Sequence, residues 1–383
     1  MTVDMNQAGP AAEEALARQE QETITQAIAK ELGISVKQVR TTVGLLDEGN
    51  TIPFIARYRK EMTGELDENV LRDIEERLSY LRNLGDRKKD VLRSIEEQGK
   101  LTKELQEQIL KAVKLQEVED LYRPFRQKRK TRASAAKEKG LEPLADWVME
   151  QRRQGQPLEE AAKYIDADKG VESAELALQG AMDIIAENIA DDPAVRSWVR
   201  QYTASQGVLV SEARDVEQES VYENYYNYRE PVHKIPPHRI LAINRGEREN
   251  VLKVGIEVTA DKIHAFILRK LVKGPSPVKE LLEAVTEDAY KRLIAPSVER
   301  EVRGEMTEKG ETQAISIFSG NLRSLLRQQP VKGRNEIGVD QDYRTGSQLA
   351  VVDDTGKLPG GGGHLSDAAE QQEEGGAREC KWM

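Results

Sequence analysis

Apolar side chains in the first third of this chain fall at the spacing of an α-helix, and no other feature constrains its fold as strongly. Ile24, Ile28 and Leu32 lie at i, i+4 and i+8. Val70, Leu71, Ile74, Leu78, Leu81 and Leu84 repeat the pattern, and Leu101, Leu105, Ile109, Leu110 and Val113 form a third stripe. A 3.6-residue period gathers each set on one helix face, which must be buried against a neighbour. Gly33, Gly49-Asn50 with Pro53, Gly64, Gly85 and Gly99 are the expected helix breaks. Short helices joined by short connections imply a compact helical array. Charged residues make up 32% of the chain and aromatics 5%, which favours long solvated helices over a β-sandwich. The expected fold class is therefore mainly α.

The 383 residues suffice for two or three domains. A disordered N-terminus is expected over 1–20 and a helical region over 21–232, with helices at 144–149, 158–164, 171–190 and 193–204. Composition shifts near Ser220: Tyr222, Tyr225, Tyr226 and Tyr228 cluster there, followed by Pro231, Pro236 and Pro237. Three strand-like runs, 239–244, 251–258 and 263–268, suggest a small inserted β element within 233–275, its first two strands joined as a hairpin through 245–249. Helical patterning returns over 278–294 and 296–329, a segment bounded by 276 and 330, and 330–334 reads as a linker. Two short strands within 335–356 flank a turn, and 357–383 is glycine-rich, polar and expected to be disordered. No internal repeat is evident.

No run of 18 apolar residues occurs, and the N-terminus shows no secretory pattern, so no membrane association is expected. The single Cys380 excludes an intramolecular disulfide and a cysteine-based zinc site, which points to a reducing, cytoplasmic setting. The net charge of −10 is unevenly spread. Residues 123–139 hold Arg123, Arg126, Lys128, Arg129, Lys130, Arg132, Lys137 and Lys139 against Glu138 alone, a local charge of +7, so the remainder carries −17. Such a patch suits phosphate contact with RNA or DNA without sequence preference. The alternative is a solvated loop whose charges meet Glu117, Glu119 and Asp120.

Two further segments invite a functional reading. Ala29, Gly33 and Val39 have the spacing of a helix-turn-helix: a small residue for close crossing, a left-handed turn residue and a core plug. Ser35 would cap the second helix, exposing Lys37, Gln38, Arg40 and Thr41 as a reading face; the plainer alternative is an αα-hairpin that merely packs. Phe54, Arg57, Tyr58, Arg59 and Lys60 form a basic–aromatic cluster behind Pro53. Arg57 and Arg59 cannot share a helix face, so at least one is expected to make an internal salt bridge. His233, His238, His264 and His364 show no ligand or triad spacing, and no phosphate-binding loop is present. No cofactor and no metal is expected.

The stretches 49–64 (GNTIPFIARYRKEMTG), 118–132 (VEDLYRPFRQKRKTR), 242–247 (AINRGE) and 337–346 (IGVDQDYRTG) resemble the Tex family of bacterial transcription accessory proteins. The resemblance covers about residues 20–357. It implies an N-terminal helical region followed by an RNase H-like domain, helix-hairpin-helix elements and an OB-fold RNA-binding module. It further implies nucleic-acid binding linked to transcription, with the transcription machinery as a potential partner. On this reading 335–356 is the opening hairpin of the RNase H-like domain, and about 100 more residues would be needed to close it. Asp340 is then the one vestigial catalytic candidate, since a two-metal site needs further carboxylates from later elements. Gln341, Asp342 and Ser347 depart from the family's Pro, small residue and Cys, and nothing beyond about Lys357 matches. Glycine codons read one base out of frame give Glu, Ala, Val or Gly, so Gly360–Gly363 suggests a frameshift near residue 357. The expected function is a non-catalytic, nucleic-acid-binding transcription accessory fragment. A scaffold or protein-interaction module is the alternative, a metal-dependent nuclease is disfavoured, and oligomeric state is left open.

Overall fold

The computed structural model describes residues 10–126, 129–217, 219–329, 333–340, 347–358 and 364–365. Side chains are described from Arg18 onward and, in the C-terminal strands, for 333–339 and 350–358. The architecture is mainly α, as the periodicity implies. Two compact units divide the chain: Met1–Ile235 with Arg245–Glu305, and Pro236–Asn244 with Met306–Met383.

The larger unit opens with α1 (Pro10–Leu32), α2 (Val36–Asp47), α3 (Ile52–Tyr58) and α4 (Glu68–Glu97). Residues 10–20, expected to be disordered, are helical, because α1 starts at Pro10. Ile28, Val39, Val43, Ile52, Ile55, Leu71 and Ile74 form the first core cluster. Gly33, Gly49 and Gly99 take positive φ where helices end, and Gly64 takes it in the turn between α3 and α4, the conformation a glycine adopts without steric cost. Gly85 is a correction: it lies inside α4, which runs unbroken for 30 residues. The helix is held on both sides of that glycine, by Leu71, Ile74 and Leu78 in the first cluster and by Leu84, Val91 and Ile95 in a second. Packing over eight turns outweighs the roughly 1 kcal/mol that one interior glycine costs. The second cluster is completed by Ile109 of α5 (Lys103–Lys111) and Val118 of α6 (Leu115–Tyr122).

Next come α7 (Arg132–Glu138), α8 (Glu142–Glu150), α9 (Pro157–Ala161), α10 (Ala174–Asp191) and α11 (Pro193–Gln206). The buried small residues Ala177 and Ala181 of α10, with Ala133 and Ala136 of α7, allow these helices to approach closely. The β element is corrected. Its strands are β1 (Val208–Ala213), β2 (Asn227–Pro231) and β3 (Leu252–Glu257), antiparallel in the order β2-β1-β3. Of the three expected strands only the middle one exists. Residues 239–244 lie in helix α12 (Pro237–Arg248) and 263–268 in α13 (Ala260–Leu271). Ile240 and Ile243 are buried three apart, and Ile263 and Ile267 four apart, so the helical period decided both. The expected hairpin over 245–249 is likewise helical up to Arg248. α14 (Lys279–Asp288) passes through a π-helical turn at Ala289–Ile294 into α15 (Ala295–Leu326).

In the smaller unit, Asn244 donates to Thr307 Oγ1 at 2.8 Å, and Leu241 packs beside Gly310. This unit also carries a separate sheet of β4 (Glu336–Asp340), β5 (Ser347–Val352) and β6 (His364–Leu365). β4 and β5 pair antiparallel with Ile337 opposite Val351 and Asp340 opposite Gln348, which is the hairpin expected over 336–352. The expectations for 1–9, 330–332, 341–346 and 359–383 other than 364–365, and for Lys128, lie outside the described residues.

Candidate nucleic-acid interface

The basic run begins where α6 ends. Arg123-Pro124-Phe125 forms a single 3-10 turn, in which Pro124 supplies a fixed φ and needs no amide partner. Three contacts tie this turn to the body. The Tyr122 hydroxyl lies 3.0 Å from Ser94 Oγ, Gln98 donates to the Phe125 carbonyl at 2.9 Å, and Arg123 pairs with Asp191 at 3.2 Å. At the far end Thr131 caps α7 through a capping box: the Ser134 amide donates to Thr131 Oγ1 at 3.0 Å and the Thr131 amide to Ser134 Oγ at 2.8 Å. Ala133 and Ala136 bury one face of α7. Arg126, Arg129 and Lys130 thus lie between two fixed ends.

Their individual environments differ. Arg126, Arg129 and Arg132 are exposed and make no ion pair among the described residues. Lys130 pairs with Glu138 at 3.3 Å, Lys137 with Glu142 at 3.0 Å, and Lys139 donates to the Gly170 carbonyl at 3.0 Å. The first two pairs are solvent-exposed and worth at most about 1 kcal/mol each, so a phosphate can exchange for the carboxylate. Arg123 is the most committed of the group, because Asp191 is nearly buried.

The acidic neighbours expected as alternative partners are engaged elsewhere. Glu117 accepts from the Val113 and Lys114 amides, and Glu119 holds Arg87 at 2.6 Å. Asp120 faces inward, 2.9 Å from Arg200 and 3.4 Å from Arg196. Glu301 accepts from Arg196 and, at 2.8 Å, from Arg200; Ser297 Oγ lies 2.9 Å from Arg196. Arg196 is fully buried. Burial pulls its guanidinium below the ordinary value, and Glu301 and Asp120 oppose that drift. Arg200, slightly more open, is also disfavoured by burial, but the Asp120 charge and the Glu301 hydrogen bond raise it overall. Glu301 is held below its ordinary value: burial pushes it up, and the Arg196 charge with the Arg200 hydrogen bond outweighs that. This four-charge network fixes α6 against α11 and α15, directly beneath the start of the basic run. Sequence reading missed it. Arg196 and Arg200, and likewise Ser297 and Glu301, stand at i, i+4, which marks one face of each helix but does not name the partner across it.

The helix-turn-helix reading keeps its geometry and loses much of its reading face. Gly33 turns the chain, Ser35 caps α2 and Val39 is fully buried. Gln38 is consumed: its Oε1 accepts from the Ser35 amide at 3.1 Å and its Nε2 donates to the Gly64 carbonyl at 3.1 Å. Arg40 is bound to Glu22 at 2.7 Å, and Lys37 remains exposed. Expectation fails for Arg57 and Arg59. Both are exposed, and neither makes a salt bridge among the described residues; Arg59 instead lies over the Phe54 ring, 5.4 Å from its centroid. Asp340 ends β4, and its side chain is outside the described set. Among the described residues no three His, Cys, Asp or Glu side chains gather to hold a metal ion, and no helix is long and apolar enough to cross a membrane.

Fold and surface together define a mainly α protein with a small antiparallel sheet and an exposed polycationic segment between two anchored helices. The chain belongs to the Tex family: residues 22–96 match the Tex-like protein N-terminal domain and residues 152–318 the Tex central region. It is 51% identical over 339 residues to the uncharacterized protein YdcI of Bacillus subtilis, covering 88% of this chain and 47% of that one. It is 39% identical over 346 residues to the transcriptional accessory protein Tex of Neisseria gonorrhoeae, covering 88% and 45%. It is also 30% identical over 352 residues to S1 RNA-binding domain-containing protein 1 of Pongo abelii, covering 88% and 35%. The chain thus spans about half the length, or less, of these relatives.

Proposed function

We propose that this chain is a non-catalytic, nucleic-acid-binding part of a transcription accessory protein, gripping the phosphate backbone of RNA or DNA without reading sequence. One observation carries the proposal: Arg126, Arg129 and Arg132 are exposed and make no ion pair among the described residues, Arg132 feeling only the charge of Asp183, while Glu117, Glu119 and Asp120 are bound elsewhere. Lys130 and Lys137 sit in exposed pairs that phosphate can displace. Lys37 is a secondary contact, and Arg40 joins it by exchanging Glu22 for phosphate. Arg123 serves chiefly to anchor the segment through Asp191. The relatives' names, a transcriptional accessory protein and an S1 RNA-binding protein, agree with this role. The test is fluorescence anisotropy with labelled duplex and single strands of several sequences. Replacing Arg126, Arg129 and Arg132 by Gln should weaken every sequence by a similar factor, and undiminished affinity would overturn the proposal.

A second reading, a protein-interaction module that docks on the transcription machinery, is favoured by one feature. Ile315, Phe318, Leu322 and Leu325 line one face of the end of α15 and are all exposed. An apolar stripe of that length suits a protein partner.

A further inference from the structure

The segment from α3 to α4 presents an exposed aromatic–cationic surface that the backbone-binding role leaves unused. In the seven-residue helix α3, Ile52 and Ile55 are buried against the first core cluster. Helical periodicity then turns Phe54, Arg57 and Tyr58 to the opposite side. Phe54 is 37% exposed and Tyr58 65%. Among the described residues every other tyrosine is buried or half-buried, so this ring is a departure from how the chain treats that residue type. Met62, at 55%, extends the apolar surface. The two rings lie 5.2 Å apart between centroids, tilted by 46°.

The surface is rigidly presented. The Met62 and Thr63 amides donate to the Arg59 carbonyl, and the Glu65 amide and Thr63 hydroxyl to that of Lys60. Thr63 is fully buried, and the Gly64 carbonyl accepts from Gln38 of α2. Around the rings stand Arg57, Arg59 and Lys60, all exposed and without an ion pair among the described residues. Glu61 lies at the edge, so the patch keeps a charge of +2.

From this geometry we infer that Tyr58, backed by Phe54 on whose ring Arg59 rests, forms a base-stacking platform for single-stranded nucleic acid, with Arg57 and Lys60 on the flanking phosphates. An open ring offers a face to any unpaired base, whereas a duplex hides its base faces within the stack. The cations match the phosphates on either side of a stacked base. An acidic protein partner would satisfy the cations but leaves the solvent-facing Tyr58 ring without a specific role. The inference shares the nucleic-acid reading of the chain but uses none of the residues of the basic run.

The experiment uses the whole chain with short oligouridylate and oligothymidylate carrying one 5-iodouracil, and a duplex of equal length. Photocrosslinks should map to residues 54–62. Tyr58→Ala should weaken single-strand binding about 5- to 150-fold, the range for loss of one stacked base. Tyr58→Phe should keep wild-type affinity, and the duplex should be unaffected by either change. Tyr58 is exposed, so neither change empties a core site; retained helicity by circular dichroism confirms it. Crosslinks confined to 123–139, with single-strand affinity unchanged in Tyr58→Ala, would overturn the platform and leave the basic run standing. Crosslinks at 54–62 alone would do the reverse. Tight binding of an acidic peptide abolished by Tyr58→Ala, with no single-strand crosslink, would assign the surface to protein and overturn the inference.

Discussion

Replacing Arg196 by Met puts the buried charge network to the test. The native site holds two guanidinium groups and two carboxylates, Arg196 and Arg200 with Asp120 and Glu301. Methionine fills comparable space but removes every hydrogen bond Arg196 makes, to Asp120, Glu301, Ser297 Oγ and the Ala190 carbonyl. Asp120 and Glu301 keep neutral donors in Gln116 and Ser297 but share Arg200 as their one ion-pair partner, an excess of one negative charge where Asp120 is 6% exposed. Breaking a buried pair from one side costs about 3–5 kcal/mol. Arg200 still reaches Asp120 at 2.9 Å and Glu301 at 2.8 Å, which places the expected loss near the lower end, about 3 kcal/mol at pH 7. The pH dependence carries a sign. Glu301 is held below its ordinary value in the folded chain, so the stability it contributes is present above the unfolded carboxylate pKa and is lost as pH falls through the folded one. Without Arg196 that depression weakens, and protonation relieves the excess charge. The penalty should therefore shrink as pH is lowered from 7 toward about 4.3, the ordinary Glu value. Urea unfolding followed by circular dichroism at both pH values measures this. A loss under about 1 kcal/mol at pH 7, or a penalty that grows on acidification, would refute the reasoning.

Gly180→Ala should destabilise the chain by about 1–3 kcal/mol, the usual range for overpacking, because its new Cβ would stand 2.3 Å from Leu141 Cδ1; an unchanged thermal midpoint would contradict the close packing of α10. With magnesium or manganese the chain should cleave neither RNA nor DNA, since metal-assisted hydrolysis draws on several carboxylates. Cleavage abolished by Asp340→Asn would show a working site.

The helices were legible because burial imposes a period that the sequence prints directly: Ile28, Leu71, Ile74 and Ile109 all occupy core positions. Helix ends were legible at Gly33, Gly49 and Gly99, and the break between α3 and α4 at Gly64, where positive φ is adopted. Gly85 misled because a glycine marks permission to turn, and α4 had packing on both sides to carry it through. The sheet was harder. β1 and β2 are short, and the burial of β1 depends on pairing with β3 about 40 residues away, which no local pattern reveals. Short apolar runs such as 239–244 fit strand and helix alike, and tertiary burial of Ile240 and Ile243 chose the helix. At the candidate interface, the basic run was visible as composition. Which cations stay available was not, because that depended on where Glu117, Glu119 and Asp120 found their partners.

The most direct test of backbone recognition by the basic run is the salt dependence of duplex binding, wild type against the Arg126/Arg129/Arg132→Gln variant. Every phosphate that the protein no longer neutralises flattens the slope of log Kobs against log salt by about 0.9, so three such phosphates flatten it by up to about 2.7. None of the three arginines makes an ion pair among the described residues, so the variant should fold like the wild type and the change in slope should report binding alone. A flattened slope, equal across sequences, is the predicted result; a slope identical to wild type in a folded variant would contradict the account.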